Sequence, residues 1–397
     1  MDDRRLPPEY GNRYSGATSQ VPELNLTSIP KSPIVPTVTG AAKSPERTPH
    51  IFPWYHPKGW SRGQQILIAA VVTAVLIIVT VVGAVIGVKA NRYPNYTPLN
   101  YRLVDAYQGT SFFDKFNYFS DEDPTDGFVV YVNRNAAKDL NLTYASDTSA
   151  ILRVDSFTPR AIKGRNSVRI ESKNTYDTGL FVFDIIHTPY GCGTWPALWL
   201  TDGYNWPSNG EIDVLESTNE GSNGNEITLH TTKGCNMNVK RKESGSPVKR
   251  SCDNSTAGNS GCGVLGDSST YGQEFNQNGG GVYTLEIRKE GIRTWFFPRT
   301  AIPSDITNPT LTPNPSTWGT ALADFPSTNC DITSHFRNQS IIANIDLCGE
   351  LGAQPQYYTQ MYNCPGTCSD FVANNPGRFE EAFWEFGRFR VYQEVQD

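Results

Sequence analysis

Hydrophobic and polar positions along this chain fall into three regimes. Residues 1–65 follow neither a helical nor a strand period, and ten prolines lie among scattered Ser, Thr and Lys. Such a segment cannot bury enough apolar surface to offset the entropy of ordering it, so a disordered tail is predicted. Ile66 to Val88 then runs for 23 residues without a charge, between Arg62 and Lys89. A helix of that length rises about 34 Å, enough for a hydrocarbon core of about 30 Å. The bland alternative is a buried core helix, but uninterrupted apolar runs this long rarely serve one. A cleaved leader does not start 65 residues into a chain. Residues 66–88 are therefore read as a membrane-spanning helix and 89–100 as a short stalk.

From 101 to 397 the period becomes two. Strands are predicted at Phe128–Val132, Ser167–Glu171, Gly179–His187, Ile341–Leu347 and Phe389–Val395. Gly281–Ile287 and Ile292–Phe297 read as a hairpin through the Arg288–Gly291 turn. Many short strands with glycine-rich turns predict an all-β, two-sheet sandwich filling 101–397 as one domain.

Charge and cysteine usage add an orientation. Residues 1–65 carry a net +3 and the segment after the apolar run carries −9, within −6 overall. An acidic domain without a basic patch argues against nucleic acid and polyanionic sugars and suits a neutral polysaccharide. Arg47, Lys58 and Arg62 on one side balance Lys89, Arg92 and Arg102 on the other, so local charge does not orient the helix. All eight cysteines, Cys192, Cys235, Cys252, Cys262, Cys330, Cys348, Cys364 and Cys368, follow it. An even number on one side predicts disulfides in an oxidising compartment, with the pairing left open. Their spacing is too loose for zinc, with no Cys-x-x-Cys pair or matching His pair. Glycosylation sequons at Asn95, Asn141, Asn254 and Asn338 also follow the helix, whereas Asn25 precedes it. The expectation is a single-pass type II membrane protein with its large domain extracellular or lumenal. Ser32, Ser44 and Thr48 are candidate proline-directed phosphorylation sites in the cytoplasmic tail. No apolar tail follows Val395-Gln396-Asp397, so a lipid anchor there is not expected.

The chemistry concentrates in Asn209-Gly210-Glu211-Ile212-Asp213-Val214-Leu215-Glu216. Charge on a strand otherwise built for burial is costly unless it serves a cleft or has a partner. Alternation puts Glu211 and Asp213 on one face, while Glu216 points the other way in a regular strand. One extra residue at Val214-Leu215, a β-bulge, returns Glu216 to the shared face. The two glutamates then stand about 13 Å apart at Cα, at roughly 3.3 Å per residue. Side chains leaning together bring the carboxyl groups to about 5–7 Å, leaning towards the ~5–5.5 Å of retaining glycosidases. Inverting pairs need about 6.5–9.5 Å. Spacing alone leaves open which glutamate is the nucleophile. An exposed acidic edge strand is the default reading of three carboxylates seen alone. The flanking residues argue against it.

Those flanks are Gly193-Thr194-Trp195-Pro196-Ala197-Leu198-Trp199-Leu200, Asn205-Trp206-Pro207-Ser208-Asn209-Gly210 and Ile227-Thr228-Leu229-His230-Thr231-Thr232. Together with the carboxylate strand they closely resemble glycoside hydrolase family 16. The extra residue before the last glutamate is similar to the laminarinase, or endo-1,3(4)-β-glucanase, branch and its fungal members. The resemblance runs from about Tyr101 to the C-terminus, through Ser111-Phe112-Phe113-Asp114, Asp123-Pro124-Thr125-Asp126-Gly127, Ala382-Phe383-Trp384 and Arg390-Val391-Tyr392.

The resemblance implies a concanavalin A-like β-jelly roll whose concave sheet forms a glucan cleft. Lys240–Gly281 and Thr300–Asp324 are expected as loops that shape it. Glu211 is implied as nucleophile, Glu216 as general acid/base, and Asp213 as the group between them that orients the nucleophile. Close carboxylates resist joint ionisation, which suits a proton held on Glu216. Trp199, Trp206 and Trp384 are implied as stacking surfaces for pyranose rings, and His230 as a substrate-binding residue. Trp195 is balanced between cleft and core, while Trp295 and Trp318 read as structural. The expected protein is a monomeric, membrane-anchored endo-β-glucanase that cleaves β-1,3 or mixed 1,3/1,4 glucans with retention, using no cofactor or metal. A cell-wall transglycosylase would use the same carboxylates. A non-catalytic glucan-binding sandwich is disfavoured, since a lectin has no use for an acid/base residue.

Overall fold

The computed structural model describes residues 61–308 and 310–395. Most of the expected disordered tail, with Asn25, Ser32, Ser44 and Thr48, lies outside the described residues. The described residues divide into two units, with the boundary between Val85 and Ile86. A helix runs over Arg62–Asn91, starting a few residues before the apolar run. Ser61 explains the early start. Its hydroxyl accepts from the Gln64 N–H at 3.3 Å, while Gln64 Oε1 accepts from the Ser61 N–H at 3.0 Å, a reciprocal cap. Arg62–Val88 is long and apolar enough to cross a membrane by length and composition. Its two hydroxyls suit that setting, Thr73 donating to Ala69 O and Thr80 to Leu76 O, both at 2.8 Å.

The second unit is a sandwich of two eight-stranded sheets, numbered here in chain order. One sheet runs β4 (Thr143–Ala145), β5 (Ala150–Arg153), β18 (Phe383–Glu394), β8 (Gly179–His187), β14 (Gly281–Arg288), β15 (Gly291–Pro298), β16 (Ala323–Pro326), with β1 (Tyr101–Tyr107) also on β18. The other runs β2 (Phe116–Phe119), β7 (Arg169–Tyr176), β17 (Gln339–Leu347), β9 (Thr194–Thr201), β10 (Glu211–Glu216), β11 (Glu226–His230), β13 (Cys262–Leu265), β12 (Ser246–Pro247). Pairing in both is antiparallel. β3 (Val129–Tyr131) and β6 (Arg165–Ser167) form a separate parallel pair.

The β8 and β14–β15 strands lie where the alternating pattern places them. The expected Ser167–Glu171 strand is instead divided. The chain changes partners at the buried Val168, because Ser167 belongs to the β3 pairing and its hydroxyl is committed to Ile345 O at 2.6 Å.

Apolar side chains from both sheets meet in one core. Leu198, Leu200, Ile212 and Ile345 come from the second sheet and Phe181, Phe183, Leu285 and Phe389 from the first. The intervening residues Leu180 and Val182 are buried as well, in a second cluster on the outer face of the first sheet. The cover there is supplied by Ile306, Trp318 and Ala321. Thr300–Asp324 therefore pads the outer face of the first sheet rather than the β10 face of the second, correcting the expectation that it shapes the cleft. Ile302 packs against the same cluster, whereas Leu322 and Ala323 at the end of the segment join the main core. Trp295 and Trp318 are structural, meeting edge to face at 5.5 Å.

Four disulfides join Cys192–Cys364, Cys235–Cys330, Cys252–Cys262 and Cys348–Cys368, using every cysteine. Part of the expected stalk is bound to the sandwich. Tyr93 and Tyr96 hydroxyls reach the Asp324 carboxylate at 3.0 and 3.4 Å, and Arg288 Nη1 donates to Thr97 O at 3.0 Å. Tyr96 lies over Gly291, where a Cβ would stand 2.0 Å from its hydroxyl.

Candidate active site

The site is built on β10, in the middle of its sheet. Against β9 the register runs Glu211 to Thr201 and Asp213 to Trp199, then shifts by one so that Leu215 faces Leu198 and Glu216 faces Ala197. This is the bulge that the carboxylate spacing requires. Ile212, Val214 and Leu215 all enter the core, which leaves Glu211, Asp213 and Glu216 for the opposite face. Asn225 holds the bulge in place. Its Nδ2 donates to Val214 O and its Oδ1 accepts from the Glu216 N–H, both at 2.8 Å. Just before the strand, Gly210 has φ 74°, and a Cβ there would stand 2.4 Å from His335 O and from the Phe336 ring.

Each glutamate is held by a tryptophan. Trp206 Nε1 donates to Glu211 Oε2, and Trp195 Nε1 donates to Glu216 Oε1 at 2.8 Å. The loop carrying Trp206 is organised by Asp202, which accepts from Asn205, Asn209 and Asn338 side chains and the Tyr204 N–H. Burial opposes charge on Asp202, but these hydrogen bonds outweigh it and hold the carboxyl below its ordinary range.

His230 on β11 faces Glu211 in register. Its Nε2 lies 3.4 Å from Asp213 Oδ2 and its Nδ1 lies 3.1 Å from Asn259 Oδ1. At 3.4 Å the first contact is an ion pair rather than a well-formed hydrogen bond, and Asp213 Oδ2 has no other partner among the described residues. Burial disfavours the imidazolium, but the Asp213 contact and the charges of Glu211, Asp213 and Glu216 prevail and raise it to about 10. Burial, then the Glu211 charge, pushes Asp213 up to about 7. Burial, then the Asp213 charge, pushes Glu216 up to about 8, against the Trp195 hydrogen bond. A proton on Glu216 at neutral pH follows.

The tryptophans divide. Trp199 is half-buried on the same sheet, its Nε1 donating to Asn344 Oδ1 at 2.8 Å with the Arg169 guanidinium 5.0 Å over its ring. Trp206 is also partly exposed. Trp384 is 0 % exposed, donates to Asn344 O at 3.0 Å and stacks on Phe386. It presents no ring face to a sugar. The stacking expectation for Trp384 is thus corrected: alternation along β18 turns it into the core. Trp195, balanced in the sequence, is partly exposed beside Glu216.

Asn225, Asn259, Asp202 and Asn344 were not legible as site residues, because each acts on a residue distant in sequence or through backbone atoms. Of the sequon asparagines, Asn95 and Asn141 are exposed and Asn254 is half-buried in the Cys252–Cys262 loop. Asn338 is exposed, but its Nδ2 donates to Asp202. Oxygen and nitrogen atoms of Glu211, Asp213 and His230 lie within 4.8 Å of one another, close enough to share a cation. The other such group, Cys192, Glu220 and Cys364, has its sulfurs joined in a disulfide and offers no thiolate.

Residues 116–392 match the XgeA-like catalytic GH16 domain. The chain is similar to a probable glycosidase of Schizosaccharomyces pombe, 45 % identical over 307 residues that cover 76 % of this chain and 72 % of that protein. It is also similar to an endo-1,3(4)-β-glucanase of Arthroderma benhamiae, 39 % identical over 302 residues, 74 % of this chain and 65 % of the relative. Among solved structures, laminarinase 16A of Phanerochaete chrysosporium, with β-glucans in donor and acceptor sites, superposes with a TM-score of 0.72 at 45 % identity, covering 74 % of this chain and 99 % of that one. An elongating GH family 16 β-1,3-glucosyltransferase gives 0.69 at 38 % identity, covering 74 % of this chain and 100 % of that one. A match spanning most of the sandwich, joined to this degree of identity, establishes that the chain belongs to glycoside hydrolase family 16.

Proposed function

We propose that this chain is a retaining endo-β-glucanase acting on β-1,3 or mixed β-1,3/1,4 glucans, with Glu211 as nucleophile and Glu216 as general acid/base. The observation that carries the reading is the bulge that sets Glu216 beside Asp213, in surroundings that keep its proton at neutral pH. Glu216 gives that proton to the departing glycosidic oxygen while Glu211 attacks the anomeric carbon. Trp206 holds Oε2 of Glu211, leaving Oε1 for the bond. In the second half, water loses a proton to Glu216 and attacks the same carbon, releasing Glu211 as a carboxylate. Asp213 and His230 supply a buried charge pair that orients the nucleophile, and Trp199 and Trp206 offer ring faces to the substrate. Likeness to the endo-1,3(4)-β-glucanase of A. benhamiae and to laminarinase 16A supports the substrate class.

The protein is further proposed to be anchored through 66–88, with the sandwich extracellular or lumenal. The apolar helix, and the four disulfides all lying beyond it, support this. Incubation of the purified protein with laminarin, barley mixed-linkage glucan and β-1,6-glucan tests the reading. Shortened oligosaccharides from the first two are expected. No product from any of them would overturn it.

A second reading is glucan transfer, favoured by the likeness to the elongating β-1,3-glucosyltransferase. Products longer than the oligosaccharide supplied identify transfer.

A further inference from the structure

A fourth carboxylate lies on the sheet face that carries Glu211, Asp213 and Glu216, and the chemistry above does not use it. Ile227 and Leu229 of β11 enter the core, so Glu226, Thr228 and His230 share the face of the catalytic trio. On β13 the core residues are Cys262 and Val264, which turns Gly263 to that same face, opposite Thr228. Glu226 lies flat across this glycine. A Cβ on Gly263 would stand 2.2 Å from Glu226 Oε1. Gly261, one step along, likewise leaves room for Thr228 and the His230 ring, at 2.5 and 2.7 Å from its own hypothetical Cβ. Glycines thus open this part of the floor, and a half-buried carboxylate occupies the space. The Glu226 side chain makes no hydrogen bond or ion pair with another described residue, and its carboxyl oxygens are not sealed off. Burial, then the Asp213 charge, raises it above the ordinary carboxylate range, with His230 and Lys249 opposing. A group held this way is available to a ligand rather than committed to the fold.

Its neighbourhood places that ligand. The Glu226 charge acts on Glu216, and both charges act on Tyr357, a half-buried phenol raised first by burial and then by Glu226 and Glu216. Thr228 pairs with Asp213 in the antiparallel register, so Glu226, two residues before Thr228 on β11, stands beside the Glu216 end of β10. The tryptophan over Glu211 lies on the other side of the trio, before β10 in the chain. In a retaining reaction the leaving sugar departs, and the accepting molecule arrives, beside the acid/base.

Resting on the retaining reading above, we infer that Glu226 is the acceptor-side recognition residue: lying over Gly263, it takes hydroxyl hydrogen bonds from the glucosyl unit next to Glu216. It thereby sets how the glycosyl–Glu211 intermediate divides between water and a glucan oligosaccharide. In the transfer branch, the acceptor hydroxyl gives its proton to Glu216, its oxygen bonds to the anomeric carbon, and the bond to Glu211 breaks to restore that carboxylate. Glu226 supplies no proton to this step. It holds the acceptor so that the hydroxyl, rather than water, is in line.

The test uses the full chain in detergent with laminaripentaose as donor and laminaribiose as acceptor. A parallel assay uses an aryl β-laminaribioside, whose phenol leaves without a sugar in that position. Glu226→Ala, Glu226→Gln and Gly263→Ala are compared with the parent. Gly263→Ala keeps the carboxylate but displaces it. The acceptor concentration for half-maximal transfer is expected to rise about tenfold in Glu226→Ala and Gly263→Ala, the size of a lost hydrogen bond to a charged group. Glu226→Gln should fall between, and aryl-glycoside turnover should fall less than acceptor use in all three. Unchanged acceptor dependence, or losses equal on both substrates, would overturn the assignment while leaving the glucanase reading intact. A parent protein that cleaves neither substrate would overturn both.

Discussion

Asn225 and Glu216 are joined through backbone and side chain at the one point where β10 departs from regular pairing. The Asn225 amide closes the bulge from both ends, accepting from the Glu216 N–H and donating to Val214 O. Asn225 is itself 0 % exposed, and its own N–H is held by Thr270 Oγ1 at 2.9 Å. Glu216, the proposed acid/base, therefore depends for its direction on a residue that is itself fully buried.

Asn225→Ala leaves a buried carbonyl and a buried N–H without partners, each costing about 1–3 kcal/mol. A loss of about 2–4 kcal/mol in unfolding free energy is expected. Asn225→Asp keeps the acceptor for Glu216 N but loses the donor to Val214 O. That variant should lose more in kcat than in Tm, because the bulge is loosened where it aims Glu216. Thermal melting together with kcat on laminarin separates the two effects. Equal kcat in parent and Asn225→Asp would show that the clasp does not govern the acid/base.

The protonation of the trio gives a pH signature. With Glu216 as the proposed general acid, activity requires its proton, so kcat/KM should decline as pH passes about 8. Stability carries the same sign. Glu216, Asp213 and His230 all titrate higher in the folded chain than free, so their contribution is complete at acid pH and is lost as pH rises. The carboxylate part is lost between their ordinary range and about 7 to 8, and the His230 part between about 6.5 and about 10. His230→Gln removes a positive charge that lowers Glu216, so the alkaline limb should move to higher pH. A pH–rate profile of this variant with an unmoved limb would refute the electrostatic link.

How much of this was readable in the chain depends on whether a signal was local. The bulge was legible because three carboxylates in six residues cannot share a face without it, and β10 has it at Val214. Gly179–His187 was legible to the residue, as a run bounded by glycine and polar residues. Trp384 was misread because a motif fixes position in sequence but not the face of a strand, and β18 turns that ring inward. Thr300–Asp324 was misread for a similar reason: the outer cluster that it covers is assembled from residues over 100 positions apart. Asn259 gave no signal at all, since its role exists only once the Cys252–Cys262 loop is folded against His230.

Trp384 and Trp206 should accordingly respond in opposite ways. Trp384→Ala deletes a fully buried ring and is expected to cost about 3–5 kcal/mol of stability. Trp206→Phe keeps an aromatic ring at the proposed sugar-stacking position but removes the N–H that holds Glu211 Oε2. Its Tm should stay near the parent value while kcat/KM falls about 10- to 100-fold, the worth of a hydrogen bond to a charged group. Urea melts and initial rates on mixed-linkage glucan distinguish them. A Trp206→Phe variant with parental rates would mean that Glu211 is positioned without it.

The segment before β1 carries the last prediction. Tyr93 and Tyr96 both reach the Asp324 carboxylate, and the Arg293 guanidinium lies 4.0 Å from the Tyr96 ring centre. Asp324 is buried, and burial raises its carboxyl above the ordinary range, opposed by hydrogen bonds from the Lys242 N–H and Tyr93. The tyrosines therefore belong to the fold of the sandwich although they precede the residues that the family match covers. Changing both to Ala in the full chain removes two part-buried rings and a partner of a buried charge, for an expected loss of about 2–4 kcal/mol. Changing both to Phe keeps the rings and isolates the hydroxyls. Without those donors Asp324 is raised further, so the deficit of the Phe variant should widen as pH rises from acid towards neutral. Melting curves of the β-sandwich across that range decide the matter. If both variants melt with the parent at every pH, the segment is a tether only and contributes nothing to the domain that it leads into.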